Sequence, residues 1–127
     1  MIRIYKHYEG EPGLHVLQDI ERESWVMLID PTQEELYQIS ESYRIDIDDL
    51  KAALDPEERS RLENEEDYTM ILVNIPVVED DNGKRWYETI PLGILYYKKR
   101  SYLLSVWKRP ISWDSLWTGW FRNFIHI

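Results

Sequence analysis

The sequence predicts an α/β fold: a mixed sheet of about six or seven strands with short helices packed on it. Three observations predict it. Apolar and polar residues alternate with period two in "IRIYKHY" near the N-terminus, and "SYLLSVWKR" reads as a further strand late in the chain. Between them, "IDPTQEELYQISESYRID" shifts to helical spacing with clear start signals. Finally, Asn82-Gly83 separates two long strand-like runs, the strongest short-range hairpin signal in the chain.

Taken in order, "IRIYKHY" reads as a strand, "EGEPG" as a turn and "LHVLQ" as a second strand. "WVMLID" is more continuously apolar, so it is placed centrally in the sheet. The first helix has two candidate starts. Asp30 can cap it with Pro31 at the first helical position, or Thr32 caps it and Glu35 completes a capping box. Leu36, Ile39 and Tyr43 then share one face. A second short helix, "DIDDLKAAL", has Asp46 as N-cap, with Ile45 and Leu50 at the two positions of a hydrophobic staple. Asp55-Pro56 is expected to end it, because a residue before proline avoids the α region. "SRLENE" reads as a short edge strand and "DYTMILVNIPVV" as a strong one. "WYETIPLGILYYKK" and "SYLLSVWKR" follow, joined by a tight turn near Arg100-Ser101. "WDSLWTGWFRNFIHI" reads as a third helix. No internal repeat, low-complexity tract or linker interrupts the chain, so residues 1–127 are expected to form one domain.

Composition narrows the function. The 127 residues carry a formal net charge of −9, which argues against nucleic-acid binding and against charge-held contact with anionic lipid. With no cysteine there is no disulfide and no cysteine-ligated zinc. The N-terminus lacks a secretory h-region, and no stretch approaches the roughly 18 apolar residues of a membrane span. The chain reads as soluble and cytoplasmic.

The charged stretches suggest little chemistry. No nucleophile elbow, Walker A loop, dinucleotide loop or H-E-x-x-H helix is present, so the chain reads as non-enzymatic. His7, His15 and His126 lie near the chain ends, where His7 and His15 read as exposed strand residues. "DIDDL" begins like a calcium loop but fails at its fifth and sixth positions, Leu50 and Lys51. Asp46, Asp48 and Asp49 instead suit the first turn of a helix, where negative charge complements the macrodipole. Weak, hydrated Mg²⁺ binding remains open to these acids, because magnesium keeps most of its waters and needs only one or two carboxylates. Arg59 and Arg61, interleaved with Glu57, Glu58, Glu63 and Glu65, read as a solvated mixed-sign face. Trp113, Trp117, Trp120, Phe121 and Phe124 form an aromatic stripe, either packed on the free face of the sheet or exposed as an interface. No stop signal follows "NFIHI", so the native chain is expected to continue past Ile127 into a further segment.

"IDPTQEEL", "YRIDIDDLKAALDPEERSRLENEEDYTMILVNIP" and "IPLGILYYKKRSYLLSV", in that order, resemble the N-terminal cytoplasmic domain of CorA-type magnesium transporters, from about Trp25 to Trp107. The resemblance implies an α/β/α cytoplasmic domain followed, in the parent protein, by a long stalk helix and two membrane helices with a Gly-Met-Asn signature. It implies a pentamer that passes Mg²⁺, with Co²⁺ or Ni²⁺ in some members. Regulatory cations would bind between subunits, with no tightly bound cofactor, and the membrane would be reached only through the missing C-terminal region. In the bacterial pattern an aspartate of the second short helix ligates a regulatory metal. Here that position is Ala52, preceded by Lys51, so Asp48, Asp49 and Asp55 become the candidate ligands. The competing expectation is a stand-alone α/β interaction module that binds a partner through the Trp113–Phe124 stripe.

Overall fold

Strand-forming segments near both ends of the chain meet in one seven-stranded mixed sheet, in the order β2-β1-β3-β7-β6-β5-β4. The computed structural model describes residues 1–99 and 102–108. The strands are β1 (Ile2–Lys6), β2 (His15–Leu17), β3 (Ser24–Ile29), β4 (Arg61–Asn64), β5 (Tyr68–Asp81), β6 (Lys84–Tyr97) and β7 (Tyr102–Trp107). Two helices lie between β3 and β4: α1 (Gln33–Tyr43) and α2 (Ile47–Ala52). The expected tight turn at Arg100-Ser101, the third helix and the stripe Trp113, Trp117, Trp120, Phe121 and Phe124 lie outside the described residues.

The β3 strand is interior, antiparallel to β1 and parallel to β7, which accounts for its nearly continuous apolar run. Asn82 and Gly83 both have positive φ (50° and 81°), as a two-residue hairpin turn between β5 and β6 requires. β4 closes the sheet as a four-residue edge strand, pairing with β5 only from Thr69 to Leu72.

Of the two candidate helix starts, the Thr32 cap is the one formed. The Thr32 hydroxyl accepts from Glu35 N–H at 3.1 Å, and Glu35 Oε1 accepts from Thr32 N–H at 3.0 Å. Asp30 has a left-handed φ of 46°, not the extended backbone of an N-cap, and its N–H donates to Trp107 O at 2.9 Å, closing the ends of β3 and β7. Glu35 Oε1 also accepts from the Met1 ammonium at 2.9 Å. Burial pushes the Glu35 carboxyl up, but the Thr32 bonds and the ammonium outweigh it, and the group sits below its ordinary value. The first helix ends at Arg44 in the left-handed region, where Ser40 Oγ donates to Ile45 O and turns the chain directly into α2.

Leu36 and Ile39 of α1, and Ile45, Leu50, Ala52 and Ala53 around α2, pack with Ile4, Val26, Leu28, Tyr68, Met70, Leu72, Leu95, Leu104 and Val106. The alternate strand residues point the other way, as pleating demands, and Tyr5, Met27, Ile29 and Trp107 form a second cluster there. The second helix ends earlier than its Asp55-Pro56 stop suggests. Leu54 N–H and Asp55 N–H bond to Lys51 O and Ala52 O, a tighter turn that finishes the helix at Ala52 and leaves Asp55 beyond it.

Candidate cation site

The N-cap of α2 decides where its acids go. Asp46 Oδ1 accepts from Asp48 N–H at 2.9 Å, which fixes the start of the helix. Leu50 is then fully buried against the sheet, and Asp49, one residue earlier, lies half-buried on the flank of the helix. On the sheet, Arg61 and Glu63 of β4 stand opposite Leu72 and Met70 of β5, so they share the helix-bearing face. Tyr68 has the same parity as Met70, and its hydroxyl reaches α2.

That hydroxyl joins the two elements. It donates to Asp49 Oδ2 at 2.5 Å and accepts from Asp46 N–H at 3.2 Å. Burial and the bond to Asp49 push the Tyr68 hydroxyl pKa well above its ordinary value, so it remains a donor at any physiological pH. The turn from β4 into β5, closed by Glu65 N–H on Tyr68 O at 2.8 Å, brings Glu65 alongside.

Three carboxylates therefore converge at the open edge of the sheet. One oxygen each from Asp49, Glu63 and Glu65 lies within 4.8 Å of the others. Arg61 offsets part of this charge, donating from Nε to Glu63 Oε1 at 2.8 Å and from Nη1 to Glu58 Oε2 at 2.6 Å. Burial raises the Asp49 pKa, and Asp46 and Glu63 add to the rise against the lowering by Tyr68 and Arg61. Two ligands on one Mg²⁺ at 2.0–2.1 Å can be no more than about 4.2 Å apart. Carboxylate oxygens within 4.8 Å of one another are thus close enough to share one hydrated ion held through its waters, or to ligate it directly where a pair lies inside that limit.

Of the acids singled out from sequence, only Asp49 enters this cluster. Asp48 is exposed, and Asp55 is exposed and occupied locally, its Oδ1 accepting from Glu57 N–H at 2.9 Å. Ala52 is buried in the main core, so that position faces the sheet and not solvent, while the Lys51 ammonium lies 6.0 Å from the centre of the Tyr37 ring. Glu63, Glu65 and Tyr68 were missed. Period two along β4 puts residues 61, 63 and 65 on one side, but nothing local says that α2 packs over that side. His7 and His15 are exposed and do not pair; β1 places Lys6 opposite His15.

The acidic cluster predicts a pH signature. Because the folded Asp49 pKa is raised, its protonation stabilises the fold below the ordinary carboxylate pKa, and this contribution is lost as pH rises through the raised value. Asp49→Asn keeps an oxygen for Tyr68 and removes the charge. Its melting temperature should match that of the parent in acid and exceed it at pH 7. A variant that melts at or below the parent at pH 7 would mean that the charge at the start of α2 gains more from the helix than it loses to its neighbours.

Known proteins share this architecture. Residues 21–117 match the family described as CorA-like Mg²⁺ transporter protein, and the chain belongs to that family. It is 37% identical over 82 residues to the cobalt/magnesium transport protein CorA of Methanocaldococcus jannaschii, a match covering 65% of this chain and 24% of that protein. The soluble domain of CorA from the same organism superposes with a TM-score of 0.69 at 28% identity, covering 97% of this chain and 46% of that one. The complete CorA structure gives 0.67 at 22% identity over 97% of this chain and 37% of that one, a likeness of fold. The chain thus spans less than half the length of the relatives it matches. Among the described residues, no helix is long and apolar enough to cross a membrane.

Proposed function

We propose that this chain is the cytoplasmic, cation-sensing domain of a CorA-type Mg²⁺ transporter, regulating transport without conducting ions itself. The observation that carries the reading is the family match over residues 21–117, supported by likeness to a CorA soluble domain at 28% identity. Transport of Mg²⁺, pentameric assembly and attachment to the membrane belong to the parent protein in this reading. Sensing would use the acids at the edge of the sheet: Asp49, held by Tyr68, with Glu63 and Glu65. Regulatory Mg²⁺ would bind weakly there, since three partly solvated carboxylates and an arginine leave it most of its water shell.

A chimera tests this reading. The chain replaces the matching segment of the M. jannaschii transporter, and Mg²⁺ flux is followed in vesicles loaded with increasing internal Mg²⁺. Flux that falls as internal Mg²⁺ rises, with the response weakened by Glu63→Gln plus Glu65→Gln, is the expected result. Flux that ignores internal Mg²⁺ in an assembled, conducting chimera would reject the sensing role.

A further inference from the structure

We draw no further inference here: the strongest candidate, the apolar second face of the sheet around Tyr5, Met27, Ile29 and Trp107, carries none, because nothing among the described residues shows what covers it.

Discussion

Leu50→Ala should destabilise the protein by about 2–5 kcal/mol, the range for removing a fully buried leucine from a packed core. Leu50 is 0% exposed and is the inward anchor of a helix of only six residues. So short a helix has little stability of its own, and packing must hold it. The same anchor orients Asp49, so the substitution should also loosen the bond between Asp49 and Tyr68. Urea unfolding of the two proteins checks the first point. A loss below about 1 kcal/mol would mean that α2 is held by its caps and not by its buried face.

Gly93→Ala should cost about 1–3 kcal/mol, or roughly 3–10 °C in melting temperature, although it adds one methyl group to a β-strand. Gly93 lies in β6 under the end of α2, and a Cβ built there would sit 2.6 Å from the Ala53 Cβ. No side-chain rotation relieves that contact, because both atoms are fixed by backbone. The helix would have to lift from the sheet. Ala53→Gly opens the space, so the double variant should recover part of the loss, and a double-mutant cycle measures the coupling. Additive losses in the cycle would show that the two positions do not meet as described.

The local chemistry of the fold was readable before its tertiary arrangement. The Thr32–Glu35 box, the Asp46 cap, the Ile45 and Leu50 staple and the Asn82-Gly83 turn each depend on residues within a few positions of one another. The box, the cap and the turn form where the spacing put them, and Ile45 and Leu50 are both buried in the same core cluster. Where two local signals competed, at Asp30 and Thr32, Thr32 has the extended backbone of an N-cap and Asp30 a positive φ where the chain leaves β3. Asp30 N–H bonds to the end of β7, a pairing of residues 77 positions apart that no local pattern encodes.

The site shows the same division. Asp49 could be singled out because acids at the start of a helix stand out in sequence. Glu63 and Glu65 lie in a run of mixed charges that reads as a solvated face, and Arg61 does pair with Glu58 and Glu63 there. Only the packing of α2 over β4 and β5 turns two of those glutamates toward Asp49. The Tyr68 hydroxyl gains its two partners only through the approach of α2, which no pattern along β5 encodes. Asp55 lies past the tight turn that ends α2 at Ala52, and the group of three carboxylates does not include it.

The most direct measurement is a Mg²⁺ titration of this chain followed by amide NMR, with NaCl at matched ionic strength as the control. The account predicts saturable shifts in the millimolar range, centred on Asp49, Glu63, Glu65 and Tyr68 and absent with NaCl. Small shifts spread over the acidic surface and reproduced by NaCl would report screening alone, and would contradict cation sensing at this edge of the sheet.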